Sequence, residues 1–408
     1  MISNSDVQKA VKLTTTVILA GGRGSRLMGL TDKQAKPAVP FGGDFRIIDF
    51  TLSNCVNAGF RRINVLTQYQ SESLSGYIRD WDFPDPKEGD FIDVLPPRGS
   101  EGYLGTADAV YQNIGILNAG PSQWVLILAG DHIYKMDYAA MLEDHIRKGA
   151  ELTIPCVEVP RTEAAAFGVM DVAAGDRIKS FLEKPAQPPG MPDKPDRALA
   201  SMGIYVFNKK FLFDALCRDA ADPRSNHDFG RDVIPALVPG GRVFAHRFSD
   251  SCVRNAGQEP YWRDVGTVDA YWSANMDMTE PSCPIYARAG EWPVYTRRER
   301  APHHHFVRAG TTEGSVVAEG CIVADSIVSR SLLSRRVTVD DNCIITDTVV
   351  LPGARIGAGC SIKGAVVDAG CEIPDGLVVG ADAAEDARRF HRTPNGIVLI
   401  DNQMLARL

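Results

Sequence analysis

No apolar run in the chain approaches the ~20 residues of a membrane span, and Met1 to Thr16 is polar and mixed, without the apolar stretch of a secretory leader. A cytoplasmic protein that does not engage membranes is expected. There is also no basic tract: 51 Asp and Glu stand against 44 Lys and Arg, a net charge of −7. That balance argues against nucleic-acid binding, so an anionic substrate must be held by local cations rather than by a global field. The nine cysteines are scattered, odd in number and without a Cys-x-x-Cys pair. A disulfide framework or a cysteine zinc site is therefore not expected, and buried apolar cysteine is.

What is present points to two domains, because 408 residues exceed the usual size of one core. Residues 1–280 alternate strand and helix patterns. Thr14–Ala20, Ile63–Thr67 and Trp124–Ala129 read as strands, with helices at Ala107–Leu117 and Tyr138–Lys148. The stretch WVLILA has no polar residue, as a strand covered on both faces requires. Gly168–Val172 and Ile178–Glu183 read as a hairpin, and Ser201–Phe207 as a further strand. The expectation is a Rossmann-like α/β domain on a mostly parallel mixed sheet. Residues 281–308 contain Pro281, Pro284, Pro293 and Pro302 and read as a connector. The run His303-His304-His305 inside it has no further ligand at recognisable spacing and reads as linker rather than metal site.

Residues 309–408 change character. Val316, Ile322, Val328, Leu333, Val339, Ile345, Val350, Ile356, Ile362, Val367, Ile373 and Val379 recur at steps of five or six, with small and turn-forming residues between them. This hexapeptide repeat predicts a left-handed parallel β-helix with these aliphatic residues pointing inward. Such a coil cannot bury its ends alone and docks on a neighbour.

The loop after the first strand reads Leu19-Ala20-Gly21-Gly22-Arg23-Gly24-Ser25-Arg26-Leu27. No Gly-Lys-Ser/Thr follows, so it is not a P-loop, and Leu27 stands where a dinucleotide fingerprint needs its third glycine. What remains is a glycine-rich strand-to-helix turn whose N–H groups can approach phosphate, with Arg23 and Arg26 beside it; a tight turn with solvated arginines would look the same. Lys36 adds a nearby cation. Asp131 follows the most apolar strand, where open α/β sheets bind ligands, and is placed for a metal, although a turn-capping aspartate is the alternative. Asp264, in YWRDVGT, is a second carboxylate suited to Mg²⁺ with substrate phosphates.

The set GGRGSRL, KPAVPFGG, FRIIDFTLSN, TQYQS, GTADAV, LAGDHIYKMDY, FGVM, EKPA, SMGIYVF, HDFG and YWRDVGT resembles the bacterial ADP-glucose pyrophosphorylases (glucose-1-phosphate adenylyltransferases), from Thr16 to Leu408. The resemblance implies transfer of the adenylyl group of ATP to glucose 1-phosphate, giving ADP-glucose and pyrophosphate for glycogen synthesis. It implies that Leu19, Ala20, Gly21, Gly22, Gly24, Gly105 and Thr106 bind ATP, that Arg26, Lys36 and Asp131 are catalytic, and that Asp131 and Asp264 hold Mg²⁺. Tyr103, Gly168, Glu183, Lys184 and Ser201 would form the glucose 1-phosphate pocket. It further implies a homotetramer regulated where the β-helix meets the catalytic domain, with Lys33 and Arg46 holding anionic effectors. Pro40, Ala369, Asn402 and Ala406 stand where fructose-bisphosphate-controlled relatives carry His or Arg, and Leu104 replaces another arginine. Fructose 6-phosphate and pyruvate are therefore the expected effectors, with fructose 1,6-bisphosphate, AMP and phosphate as further candidates. No cysteine precedes Cys55, so the intersubunit disulfide switch of plant enzymes is not expected. A pyrophosphorylase for UTP or dTTP, a hexapeptide acyltransferase and a non-catalytic regulatory homologue are the alternatives. The repeat region Ser315–Gly380 has no histidine for acyl transfer, and Arg26, Lys36 and Asp131 are all retained.

Overall fold

The computed structural model describes residues 3–81, 83–99, 102–297, 306–308 and 310–408. The run His303–His305 lies outside them.

A ten-stranded sheet organises the N-terminal part. One half is parallel: Phe91–Leu95, Arg62–Leu66, Thr14–Leu19 and Trp124–Ala129 lie side by side in that order. Tyr205–Asn208 joins Trp124–Ala129 antiparallel, and Leu152–Pro160, Arg197–Ser201, Gly168–Val172 and Ile178–Glu183 continue antiparallel from it. Val243–Arg247 pairs parallel with Leu152–Pro160. The apolar strand Trp124–Ala129 is sandwiched as its composition requires. Leu126 and Leu128 enter one core with Ile48, Leu52 and Met141, while Val125 and Ile127 enter the other with Val110, Leu212 and Leu216.

Two local expectations are corrected. The helix expected over 107–117 is two pieces, Thr106–Gln112 and Ile114–Leu117. Asn113 interrupts it, donating its amide to the Ala109 carbonyl and the Tyr103 hydroxyl. The strand expected over 201–207 is also two: Arg197–Ser201 ends, Gly203 turns the chain at φ +67°, and Tyr205–Asn208 starts on a different neighbour.

The C-terminal part is the expected β-helix, three sheets of parallel strands stacked coil on coil, one of them closed by the antiparallel edge strand His391–Arg392. The inward set is right from Val328 onward and wrong at its start. Val317 and Val323 line the interior, whereas Val316 packs outward against the first domain and Ile322 is 48% exposed. The first coils are one residue shorter than the later ones, Ile322 pairing with Thr338 and Thr338 with Arg355. A one-residue change of phase swaps the two faces, and the doublets Val316-Val317 and Ile322-Val323 do not reveal it.

Leu332, Val349, Val366 and Leu399 point out of one sheet of the coil and bury against Leu27, Leu30, Phe41 and Tyr271. Trp272 Nε1 donates to the Asp347 carbonyl (2.8 Å), Thr393 Oγ1 to Asp269 (2.7 Å), and Arg335 Nε to Asp44 (2.8 Å). The coil is thus fastened directly beneath the segment that follows the glycine loop. The part of the connector that is described also docks. Trp292 Nε1 donates to Asn54 and Thr296 Oγ1 to Asp49, while Lys135 donates to the carbonyls of Ile285 and Ala287.

Among the described residues all nine cysteines are unpaired, and seven are buried; Cys217 is exposed and Cys252 half-buried. Among them, too, no helix is long and apolar enough to cross a membrane.

Candidate active site

The carboxyl ends of the parallel strands open into a cavity of about 660 Å³. The glycine loop leaves Thr14–Leu19 at its rim. Gly24 sits at φ +67°, and a Cβ there would lie 2.8 Å from Lys36 Cβ, so both conformation and space demand glycine. No described atom lies within 4 Å of a Cβ at Gly22, which leaves its backbone bare to the cavity. Leu27 is fully buried and anchors the loop, while Ser25 and Arg26 stay exposed. The two loop arginines part company: Arg26 lies beside Gly266 and Asp264, but Arg23 is drawn aside over the Tyr69 ring.

Asp131 follows Trp124–Ala129. Asp264 comes from a distant strand, Trp262–Asp264, which pairs antiparallel with His132–Tyr134 and places Asp264 opposite His132. Between them, the buried Lys36 Nζ lies 3.0 Å from Asp131 Oδ2 and 2.9 Å from Asp264 Oδ1. Burial alone would push the Asp131 carboxyl up; the charges of Lys36 and His132 outweigh it and hold the carboxyl well below the usual range. Burial would likewise lower the Lys36 ammonium, and the two carboxylates outweigh that and raise it. His132 Nε2 stands 3.6 Å from Asp131, its ring set edge-on to Trp262, and its Nδ1 is buried without a described partner. Ligand atoms of Asp131, His132 and Asp264 lie within 4.8 Å of one another.

The other end of the cavity is built by the antiparallel half of the sheet. A Cβ at Gly168 would meet the Phe181 ring at 2.4 Å and Glu183 Oε2 at 3.0 Å, so glycine there makes space for the Glu183 carboxylate. Lys184 is at φ +45°, and its exposed ammonium is 3.2 Å from Glu183 Oε1. Ser201 Oγ accepts from Gly203 N. Tyr103 lines the cavity, but its hydroxyl donates to the Leu95 carbonyl and accepts from Asn113, so its ring rather than its hydroxyl faces the space.

All the residues expected to hold ATP, metal and sugar phosphate line this one cavity: Leu19, Ala20, Gly21, Gly22, Gly24, Arg26, Lys36, Tyr103, Gly105, Thr106, Asp131, Gly168, Glu183, Lys184, Ser201 and Asp264. Lys33 and Arg46 line a second, of about 290 Å³, between the segment after the glycine loop and the C-terminal end of the coil, with Asp32, Asp368 and Asp401. Gln68, His132, Asp228, Phe229, Gly230 and Trp262 also line the main cavity and had no role assigned from sequence. The motifs TQYQS, HDFG and YWRDVGT that contain most of them were visible, but the backbone turns that aim them inward were not.

Residues 15–281 match the nucleotidyl transferase family model, and residues 300–400 the GlmU-like C-terminal hexapeptide model. Curated relatives run the whole length. The chain is 52% identical to the glucose-1-phosphate adenylyltransferase of Dechloromonas aromatica over 96% of this chain and 91% of that protein. It is 53% identical to that of Granulibacter bethesdensis over 99% and 100%, and 51% identical to that of Rhodopseudomonas palustris over the full length of both.

Proposed function

The chain belongs to the glucose-1-phosphate adenylyltransferase family of nucleotidyl transferases, and from that premise we propose that it transfers the adenylyl group of ATP to α-D-glucose 1-phosphate, giving ADP-glucose and pyrophosphate for α-glucan synthesis. The observation that carries this reading is Lys36 held between Asp131 and Asp264 on the floor of one cavity, with the glycine loop at one end and Glu183 and Lys184 at the other.

A phosphate oxygen of the sugar phosphate attacks the α-phosphorus of ATP, the bond to the bridging oxygen breaks, and pyrophosphate leaves. The attacking oxygen is already ionised, since the second pKa of a phosphate is about 6, so no general base is required. The work left to the protein is to bring two anions together and hold them in line. Loop N–H groups from Gly21 to Gly24, with Arg26, cradle the triphosphate. Lys184 neutralises the sugar phosphate, and Glu183 accepts from sugar hydroxyls. Lys36 orients and neutralises the two aspartates.

The donor set fits a hard divalent cation: two carboxylates already close round one positive charge. Asp131 and Asp264 would hold Mg²⁺, which when bound neutralises triphosphate oxygens. We also read the protein as cytoplasmic, in keeping with its nine unpaired cysteines, and as the homotetramer that the resemblance implies. Its effector pocket is the cleft of Lys33 and Arg46. The Arg46 guanidinium is partly engaged by the Ala38 carbonyl, the Gln34 side chain and the Tyr77 ring, and three carboxylates share the lining, so a small or singly phosphorylated anion, such as pyruvate or fructose 6-phosphate, is expected there over a bisphosphate.

The test is pyrophosphate release from ATP, UTP, dTTP and GTP in turn, with glucose 1-phosphate. Strong preference for ATP is expected; preference for UTP or dTTP would overturn the adenylyl assignment.

A further inference from the structure

One loop outside the glycine turn touches both ends of the cavity. His227 lies in the left-handed region, φ +55°, which residues other than glycine adopt uncommonly. What holds it is Asp219. Asp219 Oδ2 is 2.9 Å from His227 Nδ1, and Asp219 Oδ1 accepts from Ser225 Oγ at 2.6 Å. Ser225 Oγ in turn accepts from His227 N at 2.9 Å. The Asp219 and His227 side chains are only 10% and 16% exposed, so water competes weakly for these bonds.

The consequence of that twist is where His227 sends its carbonyl. It accepts from Ala107 N (2.8 Å) and Asp108 N (3.4 Å), capping the first turn of the helix Thr106–Gln112. A Cβ on Gly105 would lie 2.3 Å from that oxygen, which is why the residue there has none. The next residues extend the tie. Thr106 Oγ1 donates to Asp228 Oδ2 (2.9 Å) and accepts from Phe229 N (3.0 Å). Two residues on, the backbone at Gly230 packs so close to Glu183 that a Cβ would sit 2.5 Å from its Oε2. The loop therefore runs from the nucleotide end of the cavity, Gly105 and Thr106, to the sugar end, Glu183. Neither Asp219 nor His227 is among the described residues lining that cavity; Asp219 opens onto a separate surface cleft.

We infer that Asp219, acting through His227, is a positioning residue that fixes the spacing between the nucleotide subsite and the sugar phosphate subsite. The inference rests on the adenylyl-transfer reading for the identity of the two ends. In-line transfer between two separately bound anions depends on that spacing, and small misplacements are costly. Loss of the clamp leaves each subsite formed and misaligns them, so turnover falls while each substrate still binds.

The experiment measures kcat and both KM values for the full-length protein, on the nucleotide and sugar phosphate that the wild type turns over best, for Asp219→Ala, His227→Ala and His227→Asn. Thermal unfolding is followed alongside. Asparagine tolerates the left-handed region and keeps a group that can bond Asp219. The expected result is a kcat lower by about ten- to hundredfold in Asp219→Ala and His227→Ala, with both KM values within about twofold of wild type, and substantial recovery in His227→Asn. Full turnover in the two alanine variants overturns the inference. So does an equal loss in His227→Ala and His227→Asn, which marks bulk destabilisation, or a rise in one KM alone, which marks damage to one subsite. Failure of the adenylyl reading shows separately, as a wild type inactive on ATP and glucose 1-phosphate.

Discussion

The ammonium of Lys36 lies 3.0 Å from the Asp131 carboxylate across 95 residues of chain, and the same ammonium reaches Asp264. This pairing makes Asp131 an ionised, acceptor-only group at the floor of the cavity. Asp131→Asn keeps the shape and removes the charge. Turnover is expected to fall by roughly 10²–10³-fold, in the range of losing one preorganised electrostatic group, with unchanged circular dichroism. Near-normal pyrophosphate release by a folded variant would remove Asp131 from the catalytic set.

Gly24 tests the loop itself. Alanine there meets two obstacles, the left-handed φ of +67° and a Cβ 2.8 Å from Lys36 Cβ. The conformation alone costs about 1–2 kcal/mol, and relief of the contact moves Lys36 off the two carboxylates. Gly24→Ala is expected to lose turnover roughly ten- to hundredfold with a small drop in Tm. Gly22→Ala has open space for its Cβ in the free protein, so Tm should stay unchanged, while the KM for ATP rises because the triphosphate is cradled by that backbone. Comparing the two KM values for ATP decides how near the phosphates come.

Lys33 is exposed in the second pocket, away from the main cavity. Lys33→Ala should leave the unactivated rate unchanged and abolish or weaken the response to activator. Initial rates across fructose 6-phosphate, pyruvate, fructose 1,6-bisphosphate, AMP and phosphate check this. An undiminished response in the variant would refute the placing of the effector there, and strong activation by fructose 1,6-bisphosphate alone would count against a small or singly phosphorylated effector.

Asp49 gives a pH signature of folding. It is completely buried, and burial pushes its carboxyl up to about 6, against the opposing bonds from Arg46 N and from the Tyr77, Thr296 and Trp81 side chains. Its ordinary value is 3.8, so between about pH 4 and 6 the native state binds the extra proton and stability falls as pH rises, by about 3 kcal/mol for this group. Asp131 has the opposite sign: its carboxyl is depressed, and its contribution is present above about pH 4 and lost below it. Asp49→Asn should flatten the decline between pH 4 and 6 in denaturant or thermal unfolding, whatever constant offset it adds. An unchanged slope would show that the carboxyl is not perturbed.

Much of this molecule was legible because its signals are local. The apolar run Trp124–Ala129 reports burial on both faces, and the spacing from Val328 to Val379 reports the coil, since both follow from the side-chain direction of neighbouring residues. The glycine loop announced itself by composition. Where local rules competed, reading failed. Asn113 broke a helix with its own side chain, Gly203 turned a strand that looked continuous, and the doublet Ile322-Val323 hid the phase of the first coil.

By itself, then, the sequence determined the two folding patterns, the family and the residue types that the chemistry needs. Tertiary structure alone decided which of them meet. Antiparallel pairing of Trp262–Asp264 with His132–Tyr134 brings Asp264 to Lys36, a left-handed His227 closes a loop over Gly105, and the docked coil forms the pocket of Lys33 and Arg46 with Asp401. Each is a contact between residues far apart in the chain. Contacts of that kind are fixed by sheet register, backbone handedness and shared burial, none of which is carried by residues adjacent in sequence.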